Sequence, residues 1–302
     1  MTLSLRRFSF SAMSSYCEIQ IYDESRITAK KMIQRLASEI LRIEKKYFSA
    51  TKDNFVLEIN HSAGSSLGIK LDAETRILFD IAEHSFKASS GAWDITAAKL
   101  VNAWKNKTHQ PYNSVELAKV ISLVGFEKLD FKGTRLYLPK DMEINFGPII
   151  KEYAADAVAE LAKKLGIEHG LINLSGDFTV IGPQPDQKPW SIGVANPKDA
   201  NSLLAKIEIL EGGVASSGDF SSSISIDNRK YNSLVNAKTG SLCSGLRAAT
   251  VASHKCTHAG SLARMALSLG EHDGLKTLEE HDLKFVAMTE DGQMQGKSVD
   301  IK

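Results

Sequence analysis

Hydrophobic and polar residues along the chain follow two periods, one typical of β-strands and one typical of α-helices. Apolar and polar residues alternate over residues 5–22, which predicts one long strand or a strand pair. Apolar residues recur about three and four positions apart over residues 25–47 and 151–165, which predicts two amphipathic helices. Gly166 provides a C-cap for the second helix.

The rest of the chain carries the same two signals in shorter segments. Further helices are predicted over 72–88, 95–104, 258–269 and 272–280, and strands near 129–138, 142–146, 170–182, 190–195, 204–210, 223–227, 247–253 and 283–300. In helix 72–88, Asp72 is a candidate N-cap and Ile77, Ile81 and His84 share one face. Residues 105–115 are polar and predict a surface loop. Helices and antiparallel strands are interleaved without a regular βαβ alternation, which indicates a single α+β domain over 1–302.

Composition and charge narrow the functional classes. The 302 residues are 43% hydrophobic with a formal net charge of +1, so we expect no general attraction to nucleic acid or to an acidic membrane. The cysteines Cys17, Cys243 and Cys256 are odd in number and widely spaced, which favours reduced thiols in the cytoplasm. No apolar run has the length of a signal sequence or a membrane span, so we expect no membrane anchor.

Four stretches place glycine beside polar residues in otherwise apolar surroundings. They are Gly91–Asp94, Asn145–Pro148, Asn173–Asp177 and Ser216–Asp219. Glycine permits positive φ and close backbone approach, which loops that bind a ligand need. Any one of the four, taken alone, is better explained as a plain turn between strands, which is the usual role of glycine.

In their order and spacing, these stretches resemble the ApbE family of FAD:protein FMN transferases from about residue 7 to residue 270. The matching segments are Ala12-Met13-Ser14, Gly91-Ala92-Trp93-Asp94-Ile95-Thr96 with Leu100-Val101-Asn102-Ala103-Trp104, Lys151-Glu152-Tyr153-Ala154-Ala155-Asp156 against K-G-Y-A-x-D, Asn173 to Asp177 against N-x-G-G-D, Ser217-Gly218-Asp219 against T-S-G-D, and Lys238-Thr239-Gly240 against D-P-x-T-G.

The resemblance implies a flavin cleft and a group-transfer reaction. Members bind FAD, use a divalent metal, usually magnesium, at the pyrophosphate, and transfer FMN to a threonine or serine of a target flavoprotein. The acceptor hydroxyl must lose a proton, so a nearby base assists. The resemblance indicates these residues for the flavin site: Met13, Ala92, Trp93, Asp94, Asn145, Lys151, Asp177, Ser217, Gly218, Thr239 and Gly240.

Several positions depart from the family pattern where the chemistry is expected. Asn145 stands for an aspartate; Ser233, Asn236 and Ala237 replace the histidine, aspartate and proline of H-x-x-D-P-x-T-G; Gly260 and Arg264 replace the acidic residue and threonine of a late A-D…T helix. We therefore expect no well-formed Mg²⁺ site at Pro148, Gly260 and Arg264, since none offers a carboxylate. Replacing Gly260 by Asp and Arg264 by Thr together is expected to improve magnesium binding.

Some residues have two interpretations at this stage. Arg264 either replaces the metal as a phosphate-binding group or is an exposed charge on a surface helix. Asp94 either belongs to the flavin site or is a helix N-cap, and Trp93 either stacks on a ring or packs in the core. His254 and His258 are four residues apart, but no third ligand is near them in the sequence.

The function has three open alternatives. The chain is an FMN transferase, a flavin-binding protein that has lost the transfer chemistry, or a structural relative that binds partners without flavin. The family resemblance favours the first, whereas the replaced positions favour the other two.

Overall fold

Helices and antiparallel strands alternate irregularly along the chain. The computed structural model describes residues 3–48, 53–105, 114–218, 223–226 and 229–301. The α-helices are α1 (Arg26–Tyr47), α2 (Phe55–His61), α3 (Ala73–Ala88), α4 (Ala98–Lys105), α5 (Ser114–Ile121), α6 (Gly147–Lys164), α7 (Cys256–Leu269) and α8 (Glu271–Glu280). The strands are β1 (Ser4–Ala12), β2 (Ser15–Asp23), β3 (Ile69–Lys70), β4 (Asp130–Lys132), β5 (Arg135–Tyr137), β6 (Gly170–Leu174), β7 (Asp177–Gly182), β8 (Trp190–Asn196), β9 (Asp199–Ile209), β10 (Gly213–Gly218), β11 (Ser223–Ile226), β12 (Arg229–Asn232), β13 (Leu246–Ser253), β14 (Lys284–Thr289), β15 (Met294–Lys297) and β16 (Asp300–Ile301). Short 3₁₀ helices cover Ile95–Ala97, Phe126–Lys128 and Pro185–Gln187.

An eight-stranded antiparallel sheet, in the order β1-β2-β6-β7-β10-β13-β14-β15, forms the centre of the fold. Successive side chains of a strand point to opposite faces, so each strand contributes to two separate cores. In β13, Val251 packs in the core on one face and Ala252 in the core on the other. In β14, Phe285 and Val286 divide in the same way.

The first face of the sheet carries the helices. The apolar stripes of α1 and α7 and the start of α6 supply much of this core, with fully buried residues such as Leu36, Ile40 and Ala263. The other face is covered by the smaller sheet β16-β9-β8, whose Trp190 and Ile207 pack against it. The prediction of an α+β fold with an antiparallel sheet and packed helices is confirmed. Within the described ranges, no helix is both long enough and apolar enough to cross a bilayer.

Several details of the sequence prediction are wrong. The buried face of α3 carries Leu78 and Phe79, whereas Ile77 is 49% exposed. Residues 142–146 form no strand; the side chain of Asn60 instead bonds both the N–H (2.8 Å) and the C=O (3.0 Å) of Ile144, which replaces a strand partner. Strand β10 and helices α2 and α5 were not predicted, and of the predicted loop 105–115, residues 106–113 lie outside the described residues.

Helix α6 begins four residues earlier than its pattern predicts. Pro148 occupies its first turn, where a missing N–H costs nothing because that donor has no partner inside a helix. The helix ends as predicted, with Gly166 at a φ of +81°. The early start places the first turn of α6 in the wall of a cavity.

Candidate functional site

A cavity of about 600 Å³ lies where the first turns of α6 meet the ends of several strands. Its wall combines apolar side chains such as Phe178 and Ile192 with cationic, carboxylate and hydroxyl groups. Volume and composition are those of small-molecule sites, which are mostly apolar with a few convergent polar groups. The segments that line it are residues 93–101, 145–152, 175–178, 192–195, 214–218 and 233–235, in part, together with Phe48, Lys105, Thr250 and Arg264.

The segment that carries Trp93 and Asp94 is held in place by hydrogen bonds. Asp94 is the N-cap of the 3₁₀ helix Ile95–Ala97: its Oδ1 accepts from the N–H and from the hydroxyl of Thr96, both at 2.8 Å. Its Oδ2 accepts from the Phe126 N–H at 2.8 Å, and burial raises the pKa of Asp94. The capping interpretation of Asp94 is therefore confirmed, while its contribution to a flavin site stays a prediction.

The start of α6 presents an amide and an ammonium group to the cavity. Asn145 Oδ1 accepts from the Gly147 N–H at 2.8 Å and so caps the turn that leads into the helix. Lys151 is half-buried and its Nζ donates to the hydroxyl of Ser15 at 2.8 Å. Within the part of the chain that the structure describes, Lys151 makes no ion pair, so its charge is not neutralised by a carboxylate contact.

Arg264 and Glu152 form a buried ion pair at the cavity wall. Arg264 is 4% exposed and Glu152 2% exposed. Each guanidinium Nη contacts one oxygen of the Glu152 carboxylate, with Arg264 Nη2 to Oε2 at 2.9 Å, and Nη1 also donates to the Pro148 carbonyl at 2.7 Å. The guanidinium carbon lies 5.3 Å from the centre of the Trp93 ring. The interpretation of Arg264 as an exposed surface charge is therefore wrong.

Gly260 faces this ion pair from α7. A Cβ at this position would lie 2.5 Å from Glu152 Oε2 and closer still to Oε1, so no side chain fits while Glu152 holds its place. The predicted effect of combining Gly260→Asp with Arg264→Thr is accordingly corrected, because the aspartate would collide with Glu152. A variant that also shortens Glu152 leaves room for it.

Asp177 lies at the turn between β6 and β7 and lines the same cavity. Burial, reinforced by the nearby charge of Glu152, raises the pKa of this carboxyl to about 8. A backbone N–H of Ser216 donates to its Oδ1 at 3.4 Å. At neutral pH the carboxyl group is therefore mostly protonated. Its pKa is close enough to neutral pH for the group to give or take a proton in a reaction.

The cavity brings together seven of the eleven predicted site residues. Those seven are Trp93, Asp94, Asn145, Lys151, Asp177, Ser217 and Gly218. Four others lie elsewhere. Met13 is buried in the core at the β1–β2 turn, where its N–H donates to Glu44. The Ala92 carbonyl accepts from the Ala237 N–H at 2.8 Å.

Thr239 and Gly240 belong to a turn that is organised by Asn236, whose Oδ1 accepts from the N–H groups of Lys238 and Thr239. The Gly240 carbonyl accepts from the Trp104 indole at 2.7 Å, so this turn packs against α4 and does not line the cavity. Asp219, which the motif also contains, lies outside the described residues.

The sequence prediction missed Glu152 as a functional residue. A signal was present, because Glu152 stands where the K-G-Y-A-x-D pattern has glycine, and Gly260 stands where the late helix has an acidic residue. Two opposite changes of this kind indicate a contact between the two helices. The structure places the carboxylate of residue 152 against the backbone of residue 260.

A histidine cluster lies outside the cavity. The rings of His254 and His258 are 4.8 Å apart, and His281 lies 6.3 Å from His258. The hydroxyl of Ser253 bonds His258 Nδ1 at 2.7 Å, and burial together with the neighbouring imidazoles lowers the pKa of His258. Among the residues that the structure describes, no group of three or more His, Cys, Asp or Glu side chains is arranged to hold a metal ion.

Fold and cavity together define an α+β protein with a ligand-sized cleft that carries both cationic and carboxylate groups. The sequence profile of the ApbE family matches residues 13–288. The chain belongs to the ApbE family.

Characterised relatives and solved structures agree with this assignment. A FAD:protein FMN transferase of Vibrio cholerae serotype O1 is 26% identical over 224 residues, which are 71% of this chain and 67% of that protein. A FAD:protein FMN transferase of Haemophilus influenzae is 24% identical over 290 residues, 91% of this chain and 84% of its own. The crystal structure of the ApbE protein from Thermotoga maritima superposes with a TM-score of 0.88 at 21% identity, covering 98% of this chain and 97% of that one. The apo form of Pseudomonas stutzeri flavinyl transferase ApbE gives a TM-score of 0.85 at 22% identity, covering 98% and 95%.

The divalent metal that the family resemblance implies does not fit the residues present here. Gly260 offers no side-chain ligand atom, and both oxygens of Glu152 already accept from Arg264. A guanidinium at this position repels a dication. We therefore assign no step of the reaction to a metal ion.

Proposed function

We propose that the chain binds FAD in the cavity and transfers FMN from it to a threonine or serine hydroxyl of a target flavoprotein. One observation carries the proposal: Trp93, Lys151 and Asp177, predicted from three separate motifs, line one cavity in a chain of the ApbE family. The whole of residues 1–302 is proposed to act as one domain. The relatives' printed activity supports the reaction class.

The cavity has groups that suit the flavin ring and the phosphates of FAD. The apolar side chains of Phe178, Ile192 and Val214 suit a flavin ring. The ammonium of Lys151 suits a phosphate, since it makes no ion pair within the described residues. Glycines at 147, 176 and 218 allow backbone to approach the ligand closely.

The transfer needs one bond made and one broken at phosphorus. The acceptor oxygen attacks the phosphorus of the FMN half and forms a P–O bond. The bond from that phosphorus to the bridging oxygen breaks, and AMP leaves with the electron pair. The hydroxyl proton passes to a base, and Asp177 is the proposed acceptor, since its pKa of about 8 makes the ionised form accessible near neutral pH.

The proposed compartment is the cytoplasm. Cys17, Cys243 and Cys256 are all buried free thiols. Burial raises the pKa of Cys243 to about 12 and that of Cys256 well above its ordinary value, so neither thiol is reactive. Structural thiols of this kind are usual in a reducing environment.

The test uses purified protein, FAD and a peptide library in which each member contains a single Thr or Ser. We expect peptide masses increased by FMN, with AMP released in equal amount. The rate should rise as the pH approaches 8, and Asp177→Asn should remove this pH dependence. FAD bound without any labelled peptide would contradict the transfer and leave the binding-only alternative.

A further inference from the structure

The contact between α6 and α7 contains a charged arrangement that is closed within the protein. Arg264 on α7 and Glu152 on α6 are both buried, and the pair is bidentate. The Pro148 carbonyl and the Trp93 ring hold the guanidinium from two further directions. A guanidinium held on all these sides has a fixed position.

Three positions depend on one another in this arrangement. Glu152 reaches Arg264 only because residue 260 has no Cβ. Arg264 is tolerated in the core because Glu152 balances its charge, and Glu152 is tolerated because Arg264 does the same in return. Gly260, Glu152 and Arg264 therefore form one unit, and changing one member alone disrupts the others.

The unit determines the charge that a ligand meets. Glu152 and Arg264 form a pair without net charge, so the Glu152 carboxylate is not free to attract a cation. Asp177 is mostly protonated at neutral pH. Lys151 is the half-buried cation at the cavity whose charge is not neutralised by an ion pair in the described part of the chain. Arg264 uses three N–H donors within the protein, and its Nε has no partner there.

We propose, building on the proposed function, that this chain binds the diphosphate of FAD without a divalent metal ion. The Arg264–Glu152 pair, which has no net charge, occupies the place where a metal would be held, and Lys151 provides the positive charge. The neutral pair keeps Mg²⁺ out and leaves Lys151 to meet the phosphates.

The first measurement is the dissociation constant of FAD, followed by flavin fluorescence in EDTA and in millimolar MgCl₂ at equal ionic strength. We expect the two constants to agree within about twofold, because no coupling between Mg²⁺ and FAD exists at the site. If MgCl₂ tightens binding by about tenfold or more, the proposal is wrong. If no flavin binds under either condition, the proposed function itself has failed.

The second measurement separates the phosphates from the ring. Glu152→Met combined with Arg264→Met replaces the pair by apolar side chains of similar length and removes both charges, an exchange that folded proteins often tolerate. We expect Lys151→Met to weaken FAD binding by about tenfold while riboflavin binding, which involves no phosphate, changes by less than about twofold. The double variant changes no net charge, so it should leave the affinity for both ligands within about twofold. Equal loss of both ligands would overturn the proposal. Glu39→Gln with Arg42→Gln, an exposed pair on α1, is the matched control for altered surface charge.

The third measurement converts the site. Glu152→Gly, Gly260→Asp and Arg264→Thr together open the space, add a carboxylate and remove the repelling charge. In this triple variant FAD binding should become tighter with MgCl₂ by about tenfold. A folded triple variant whose FAD affinity ignores MgCl₂ would show that the ion pair is not what excludes the metal. Should the variant not fold, the EDTA comparison on the unmodified protein still decides.

Discussion

Replacing Gly260 by alanine should destabilise the protein, although the same change in an ordinary helix stabilises it. Alanine is favoured over glycine in a helix interior by about 1 kcal/mol. Here the added Cβ overlaps the Glu152 carboxylate, which has to leave Arg264. Breaking a buried ion pair costs about 3–5 kcal/mol, because a charge is left uncompensated. The free energy of unfolding should therefore fall by about 2–4 kcal/mol.

The control for this prediction removes the pair before the glycine is changed. In a Glu152→Ala, Arg264→Met background the carboxylate is absent. The three atoms that lie nearest to the new Cβ all belong to the Glu152 carboxylate, so they are removed as well. Gly260→Ala should then raise the free energy of unfolding by up to about 1 kcal/mol relative to that background.

Urea denaturation, followed by circular dichroism, measures the free energy of unfolding of each Gly260→Ala variant relative to its own parent protein. The reversal of sign between the two backgrounds is the diagnostic result. If Gly260→Ala were neutral or stabilising in the unmodified chain, the close packing of residue 260 on Glu152 would be refuted.

Three further changes test other parts of the account. Asp156 accepts four hydrogen bonds that join α6 to β7 and to the first turn of α7. In urea denaturation, Asp156→Ala should therefore lower the free energy of unfolding by about 3 kcal/mol. As a control, Asp80→Ala at an exposed position should lower it by less than about 1 kcal/mol. Because folding raises the pKa of Asp177 from 3.8 to about 8, its contribution to stability is lost as the pH rises between those values; Asp177→Asn should therefore gain stability relative to the parent from pH 5 to pH 8, and an unchanged difference would contradict the shift. The pKa of His258 is lowered, so stability is lost as the pH falls below its ordinary value of 6.5; His258→Gln should make thermal unfolding less sensitive to acid, and an unchanged acid sensitivity would contradict the shift.

The fold was predictable where the hydrophobic pattern is local. Helix α1 and the β1–β2 hairpin follow from periods of 3.6 and 2, and their bounds differ from the prediction by a residue or two. The start of α7 was misplaced by two residues because its cap comes from Asp156, 100 positions away, and not from a neighbouring side chain. Residues 142–146 look like a strand, but their partner is the side chain of Asn60, which no periodicity records.

The candidate site was predictable in part for a similar reason. Motif residues with side chains at the cavity, such as Trp93 and Lys151, were found because each motif marks a place on the chain. Thr239 and Gly240 were predicted for the flavin site, but they lie in a turn that packs on Trp104. Their part in flavin binding stays a prediction. Glu152 was not predicted because its position depends on the absence of a Cβ at Gly260 in α7.

A crystal structure of the protein grown with FAD and EDTA tests the central claim most directly. We expect the isoalloxazine ring against the apolar wall of the cavity and the diphosphate within hydrogen-bond distance of Lys151, with the Arg264–Glu152 pair intact. FAD bound elsewhere on the surface, or bound in this cavity only after magnesium is restored and with the ion pair broken, would contradict the account.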